Sequence, residues 1–311
     1  MMNIMLDPFK PFKDNVDLEK YQKIINEGLK KTIEFLERCI KNYDFTESKK
    51  TFFEILEGKE YYNKNNPNHK IAYLASRFIS FDILLSVGKI DPYIKKLHYE
   101  WFNYLFNRIY RDINYFSNKI LEELYSDYPV GDSEIFQTVS QRVLFNIYKL
   151  KKKGYVDLID LLKDPKIHPW EKILEFENIY RFDYAVFLIR SGYLGEELAK
   201  FEGNKDYSKD LDKIFQLKNN NERTPPQIVV KEIERLKHVR NAISHPERAG
   251  IRYKRDINKV KIMAYDPKKK IYSYQEEIRM IDLWDISYIL TLLDRDFVSA
   301  ALAISIIKDL S

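Results

Sequence analysis

The sequence has one cysteine and nine glycines among its 311 residues. A lone Cys39 cannot close an intramolecular disulfide or supply the paired thiolates of a structural zinc site, so we expect a reducing, cytoplasmic setting. The low glycine content disfavours β-rich folds, and neither a GxGxxG nor a GxxxxGK[ST] phosphate-binding loop occurs. These absences exclude disulfide scaffolds and the common glycine-rich nucleotide-binding folds.

Long uninterrupted apolar runs are also lacking. The most apolar windows are 71–90, which contains Arg77 and Asp82, and 297–307, which is too short to span a bilayer. Residues 1–12 mix charged residues with two prolines and carry no apolar signal-peptide core. We therefore expect no targeting segment and no membrane partner.

The net charge and the spacing of apolar residues indicate the possible partners and the fold class. The formal net charge is +5 and the sequence pI is about 8.8. This mildly basic balance permits an anionic partner without requiring one. Apolar residues recur three and four positions apart over most of the chain, which predicts an all-α fold built as a helical bundle.

The N-terminal half is predicted to contain four helices, the fourth beginning at an Asp-Pro pair. Their expected ranges are Asp17–Tyr43, Phe45–Tyr62, Ile71–Val87 and Asp91–Ile120. A further helix is predicted over Ile135–Leu150. The proline-containing cluster Asp164–Pro169 is the best candidate boundary, which divides the chain into an N-terminal helical domain of unassigned role, 1–165, and a C-terminal domain, 166–311.

The C-terminal domain is predicted to be helical with one small β-hairpin. Helical segments are expected at Trp170–Tyr180, onward to Ile189, at Tyr193–Phe201 and up to about Leu217. Lys259–Ala264 and Ile271–Tyr274 flank the turn residues Asp266–Lys270 and predict the hairpin. The last helix, about Ile281–Leu310, is apolar on most sides, so we expect it in the core or in a dimer interface.

A polar stripe marks the helix that follows the two prolines at 225–226. Five residues near its C-terminus lie on one face: Lys237, Arg240, Asn241, Ser244 and His245. Pro246 is expected to end the helix. Arg240 also continues a row of apolar residues, so we expect it to be partly buried and paired, or to face a partner surface. An arginine holds an anion at any pH and a histidine exchanges a proton near neutrality, so the stripe suits a phosphodiester.

Arg240-Asn241-x-x-x-His245 resembles the Arg-x(4–6)-His motif of the HEPN superfamily, in which an Asn often follows the Arg. The resemblance implies a helical, usually dimeric domain that is often a metal-independent endoribonuclease. Such domains occur in toxin–antitoxin, abortive-infection and CRISPR effector systems. On this resemblance Arg240 and His245 would be the catalytic pair and Asn241 their support. Arg248 matches an Arg that some relatives carry after the His.

Cleavage of RNA by its own 2′-hydroxyl needs a base, an acid for the 5′ oxygen, and charge stabilisation at phosphorus. One Arg and one His are too few groups, so we expect a homodimer that brings two motifs together. No metal or other cofactor is expected, because the nucleophile belongs to the RNA. The residues expected to contact RNA are Lys237, Ser244, Arg248, Arg252, Lys254 and Arg255.

Other interpretations of these residues stay open. Arg240 could pair with a buried carboxylate, and His245 could simply interact with the helix dipole. The basic residues after the motif could form a solvated loop that Glu247 and Asp256 balance. The chain could also be a non-catalytic HEPN-like module that binds an antitoxin, a CRISPR or other defence partner, or nucleic acid.

Overall fold

The computed structural model describes residues 19–63, 65–88, 90–125, 154–155, 158–203, 224–245 and 250–311. Over these ranges the chain is mostly helical, with one three-stranded antiparallel sheet near the C-terminus. The prediction of a mainly helical protein is therefore confirmed. The helices predicted over Ile135–Leu150 and up to about Leu217 lie outside the described residues.

The chain divides into two compact units. The first consists of Met1–Tyr125 and Val298–Ser311, and the second of Ser126–Phe297. The last helix contributes residues to both units, because the boundary falls within it. Residue 165 lies within the second unit, and the division into domains 1–165 and 166–311 stays a prediction.

Among the described residues of the first unit, five helices precede the last helix. They are α1 Gln22–Glu37, α2 Thr46–Leu56, α3 Pro67–Ser86, α4 Pro92–Tyr110 and α5 Asn118–Tyr125. The side chains of Asn66 and Asp91 each accept a backbone N–H of the following first turn at 2.9 Å, which caps α3 and α4. Gly28 allows α1 and α3 to lie close together, because a Cβ there would overlap the side chain of Ile79.

Helix α4 is shorter than predicted, because it ends at Tyr110 and not near Ile120. The turn after it buries Phe116 completely, so the apolar stripe continues although the helix does not. Lys308 of the last helix donates to the carbonyl oxygens of Ile113 and Phe116, at 3.3 and 2.5 Å. These tertiary hydrogen bonds satisfy carbonyls that a continuous helix would have bonded internally.

The second unit combines helices with the sheet. The elements that the structure describes in it are α6 Leu158–Lys163, α7 Pro169–Phe201, α8 Gln227–Ser244, β1 Gly250–Lys254, β2 Lys259–Asp266, β3 Ile271–Arg279 and the first part of α9 Leu283–Leu310. Helix α7 is one continuous helix of 33 residues, where the sequence predicts three shorter segments. Gly192 and Gly195 weaken an isolated helix, but both are buried here, so packing keeps α7 continuous.

The sheet has the order β1-β2-β3 with antiparallel pairing. Strands β2 and β3 confirm the predicted hairpin. The prediction of a hairpin alone is wrong, however, because β1 adds a third strand. In β1, Ile251 and Tyr253 alternate with the exposed Arg252 and Lys254. Such a short and strongly charged alternation resembles a loop in the sequence, and only its pairing with β2 makes it a strand.

Helix α8 packs against one face of the sheet. Nε and Nη2 of Arg235 donate to both carboxylate oxygens of Glu276 in β3, at 3.0 and 2.8 Å, and Nη1 donates to Glu232 at 2.9 Å. Further along α8, the ring of His238 stacks on Tyr274, with centroids 4.9 Å apart. Tyr274 lies closer than Glu276 to the β2–β3 turn. The C-terminal end of α8 therefore points toward that turn.

The last helix, α9, is buried along most of its length. Its fully buried apolar residues include Leu283, Ile286, Leu290, Leu293, Phe297, Leu302 and Ile304. The last helix is predicted to lie in the core or in a dimer interface. These side chains lie in the core of the chain. Among the described helices, none combines the length and apolar character needed to cross a bilayer.

The Asp183 carboxyl lies between α7 and the first part of α9. Burial, together with the nearby charge of Asp294, raises the pKa of Asp183 to about 7. The hydroxyls of Ser287 and Thr291 donate to its Oδ2 only at 3.5 Å, which is too long for strong hydrogen bonds. Asp294 is itself bound by Arg190 at 2.9 Å. The fold therefore favours the protonated form of Asp183.

Replacing Arg235 by alanine is expected to lower the free energy of unfolding by roughly 3 kcal/mol, because it leaves the Glu232 and Glu276 carboxylates without their cation. Urea unfolding of the variant and the wild type measures this loss. Arg279→Ala is the matched control in the same sheet, because Arg279 is exposed and binds Asp282 at the surface. Equal losses in the two variants would show that Arg235 does not hold α8 on the sheet.

The stability of the wild type is expected to fall, relative to Asp183→Asn, as the pH rises from about 4 to about 8. A raised pKa means that the folded protein binds this proton more tightly than the unfolded chain. The resulting stabilisation is complete below the unfolded pKa and is lost as the pH rises through about 7. Over this pH range the wild type should lose more than about 1 kcal/mol of unfolding free energy relative to the asparagine variant. A difference in unfolding free energy that stays constant with pH would contradict the predicted ionisation.

Candidate functional site

The polar stripe lies at the C-terminus of α8, where the sequence predicts it. Helix α8 ends at Ser244, and His245 leaves the helical region with φ −131° and ψ 60°. A residue that precedes proline is disfavoured in the helical conformation, which explains why the helix stops there. The backbone N–H of His245 still donates to the carbonyl oxygen of Asn241 at 3.1 Å. The imidazole is therefore carried on the end of the helix and not on a free loop.

The stripe faces away from the interior. Arg240, Ser244 and His245 are exposed, whereas Lys237 and Asn241 are half-buried. The opposite side of the same turns is buried through Val239, Ala242 and Ile243. The expectation that Arg240 is partly buried is wrong, although it continues the apolar row in the sequence. Its other predicted environment, a partner surface, stays a prediction.

Arg240 is oriented by its neighbour. Its Nη1 donates to Oδ1 of Asn241 at 3.1 Å. Within the described residues, no carboxylate forms an ion pair with Arg240, so its charge is not neutralised by a salt bridge there. Asn241 therefore orients the arginine, and in the part of the chain that the structure describes no carboxylate binds its other guanidinium N–H groups.

Helix α7 supports the motif helix at two points. The buried hydroxyl of Tyr180 donates to the carbonyl oxygen of Leu236 at 2.7 Å. Nη2 of the neighbouring Arg181 donates to the carbonyl oxygen of Ile243 at 3.2 Å. The last carbonyls of a helix have no partner within the helix, so Arg181 satisfies one of them and places a second exposed guanidinium beside the motif.

Sequence reasoning missed Tyr180 and Arg181. They lie more than fifty residues before the motif, and only the packing of α7 against α8 brings them there. Glu177 precedes Arg181 by one helical turn; burial raises the pKa of Glu177, while the charge of Arg181 acts in the opposite direction. A charged pair one turn apart is common on exposed helices, so no signal in the sequence separates Arg181 from other surface arginines.

His238 is not part of the stripe. Its ring is stacked on Tyr274 at an angle of 5° between the planes, and its Nδ1 atom is buried. Burial lowers the pKa of His238, which favours the neutral imidazole. His238 therefore belongs to the packing between α8 and the sheet.

The other residues predicted to bind RNA lie apart from the stripe. Arg252, Lys254 and Arg255 are exposed on β1 and on the single helical turn after it. Arg252 and Lys254 lie on the side of the sheet opposite α8, because they alternate with Ile251, which shares a face with the Arg235 partner Glu276. Lys254 binds Glu277 of β3. Arg248, Pro246 and Glu247 lie outside the described residues.

The stripe offers one imidazole, one amide and one guanidinium, with the guanidinium of Arg181 beside it, a set suited to holding and protonating an anion. Over the part of the chain that the structure describes, no three His, Cys, Asp or Glu side chains are grouped to hold a metal ion. An imidazole and a guanidinium can supply proton transfer and charge stabilisation.

Replacing Arg181 by alanine is expected to loosen the last turn of α8, because the carbonyl of Ile243 loses its tertiary partner. The backbone N–H of His245 should then exchange with solvent several-fold faster, with little change in global stability. Hydrogen exchange resolved along the chain measures this effect. Lys200→Ala on the same helix is the matched control, since Lys200 binds Glu197 and is exposed. Unchanged exchange at the end of α8 in Arg181→Ala would contradict the assigned contact.

Comparisons with known proteins leave this site to be interpreted from its own geometry. No family model, no curated protein and no solved structure matches the chain. The resemblance of Arg240-Asn241-x-x-x-His245 to the HEPN motif therefore stays a prediction.

Proposed function

We propose that the protein is a metal-independent endoribonuclease of the HEPN type that cuts single-stranded RNA in a prokaryotic defence or toxin system. The observation that carries the proposal is the state of Arg240. It is exposed, bound by Asn241 and, among the described residues, in no ion pair with a carboxylate. A purely structural arginine at this position would be expected to sit in a salt bridge within the subunit.

In the proposed reaction the 2′-hydroxyl oxygen of one nucleotide attacks the adjacent phosphorus, and the bond to the 5′ oxygen breaks. His245 of one subunit removes the proton from the 2′-hydroxyl, and a second imidazole protonates the leaving 5′ oxygen. Arg240 neutralises the non-bridging oxygens of the phosphorane, with Asn241 aligning its guanidinium. The products are a 2′,3′-cyclic phosphate and a 5′-hydroxyl. DNA lacks the nucleophile and is not cut.

The second imidazole requires a second copy of the chain, so the proposal includes a homodimer with the ends of two α8 helices facing one cleft. Exposed apolar residues on α7 support this arrangement. Trp170 is 52% exposed and Leu174 is 58% exposed, and they lie on the face of α7 that also carries Arg181. Because the apolar residues of α9 are buried within the chain, α7 and α8 are the better candidates for the interface.

Purified protein incubated with labelled single-stranded RNA in EDTA tests the proposal. His245→Ala is expected to lose roughly 10²–10⁴-fold in cleavage rate, because proton transfer is removed. Arg240→Ala should lose a comparable factor, and Arg240→Lys should recover little of it, since an ammonium cannot bind two phosphate oxygens as a guanidinium does. The double variant should be little worse than either single variant, because the two residues act as one unit.

Lys231→Ala is the matched control, because Lys231 is exposed on the same helix near its other end. It should cleave like the wild type, and thermal melts should show that all variants stay folded. Full activity in His245→Ala would contradict the proposed site. Absence of cleavage in the wild type, together with stable binding of a protein partner or RNA, would favour the non-catalytic module.

A further inference from the structure

The two faces of the sheet differ in composition. Side chains directly opposite one another in antiparallel strands share a face, and successive residues alternate between faces. The face toward α8 carries Ile251, Val260, Ile262, Tyr274 and Glu276. The other face, called the outer face here, carries six charged residues: Arg252 and Lys254 of β1, Lys259 and Lys261 of β2, and Glu277 and Arg279 of β3. Toward the β2–β3 turn the same face also carries the buried Met263 and the exposed Gln275.

The outer face places like charges opposite one another. Lys261 lies in register between Glu277 of β3 and the like-charged Arg252 of β1, and Lys259 lies between the like-charged Lys254 and Arg279. Such cross-strand pairs destabilise a sheet, so packing alone does not account for them.

Glu277 is the single carboxylate among these six outer-face residues. It contacts Lys254 and also Lys259, the latter at 3.4 Å. Arg279 is bound by Asp282, so the other four cations share one carboxylate, and the face keeps an excess of positive charge that an anionic partner would neutralise.

An aromatic pair continues the outer face toward the β2–β3 turn. Tyr265 and Tyr272 are opposite one another in register, next to an irregularity in the pairing, and their rings lie 5.5 Å apart at 71°. Tyr272 is 41% exposed. The turn that follows contains Lys268, Lys269 and Lys270, all exposed. Exposed tyrosines beside rows of cations are suited to unpaired bases on a phosphate backbone, because every base can stack on an aromatic ring.

The aromatic end of this surface is also the end toward which the motif points. Contacts between α8 and β3 proceed from Arg235 with Glu276 to His238 with Tyr274, in the direction of the β2–β3 turn. The C-terminal stripe around Arg240 follows further along the same helix. A nucleic-acid strand that runs along the outer face and past Tyr272 would therefore reach the same end of the sheet as the motif.

We propose that the outer face of the sheet binds the phosphate backbone of single-stranded RNA, with Lys259 and Lys261 of the central strand at its centre and Tyr265 and Tyr272 stacking on bases. The choice of RNA rests on the proposed function, whereas the choice of a polyanion rests on the charges. The surface is separate from the Arg240 stripe. It also extends beyond the residues after the motif that the sequence predicts to contact RNA.

Binding of labelled single-stranded RNA to His245→Ala protein, followed by fluorescence anisotropy at several salt concentrations, tests the proposal without cleavage. Adding K259Q and K261Q should raise the dissociation constant on the order of tenfold at 0.1 M salt and reduce the slope of log affinity against log salt by about 1.4. K30Q/K31Q is the matched control, because both lysines are exposed on α1. It should leave affinity and slope unchanged.

Two further readouts separate binding from folding. K259Q/K261Q should melt at or above the wild-type temperature, because it relieves the opposed like charges. Tyr272→Ala should weaken binding of single-stranded RNA about tenfold and affect duplex RNA less. Affinity and salt slope in K259Q/K261Q equal to those of K30Q/K31Q would overturn the proposal. So would tighter binding of phosphatidylserine vesicles than of RNA at this face.

The two proposals can fail separately. If the wild type cuts RNA while K259Q/K261Q binds it normally, the nuclease proposal stands and the outer-face proposal falls. If K259Q/K261Q weakens binding but neither it nor the wild type cuts RNA, the outer-face proposal stands and the nuclease proposal falls.

Discussion

Arg235 links the motif helix to the sheet. Two of its nitrogen atoms bind both oxygens of Glu276 in β3, and the third binds Glu232 on its own helix. Because a guanidinium is planar and binds a carboxylate in a defined geometry, the contact sets both the distance and the rotation of α8 against the sheet. That rotation turns Val239 and Ala242 inward and Arg240 outward. The exposure of the stripe therefore depends on the ion pair between Arg235 and Glu276, although neither residue belongs to the stripe.

Charged side chains on the two faces of the sheet are compensated in different ways. On the face toward α8, each charge has a close partner, and Tyr274 adds a hydrogen bond from its hydroxyl to Glu276. On the outer face, cations outnumber the carboxylate and oppose one another across the strands. Buried charges must be compensated within the protein, whereas exposed charges can be compensated by solvent ions or by a ligand. Adjacent residues of β3 belong to the two faces: Glu276 binds Arg235, and Glu277 binds Lys254 and Lys259 on the outer face.

For the proposed reaction, the side chains at the end of α8 must be exposed and still be held in position. Here α7 provides the support, through the Tyr180 hydroxyl in the middle of α8 and the Arg181 guanidinium at its last turn. Both groups bind backbone carbonyls, so they restrain α8 without occupying the side chains of the stripe. The helix that carries Arg240 and His245 is therefore restrained at its middle and at its end. This restraint lowers the conformational entropy that binding of a ligand would cost.

Local rules in the sequence were sufficient for the helical character, the cap at Asp91, the end of α8 at His245 and the β2–β3 hairpin. Proline, capping side chains and periodicity act over a few residues, so their effects are visible without a fold. The end of α4, the pairing of β1 and the exposure of Arg240 were decided by tertiary structure. Each depends on a partner distant in sequence: Lys308 for the turn after α4, β2 for β1, and Glu276 for the rotation of α8. A periodic pattern states which side chains favour burial, but the packing of distant elements decides which of them are covered.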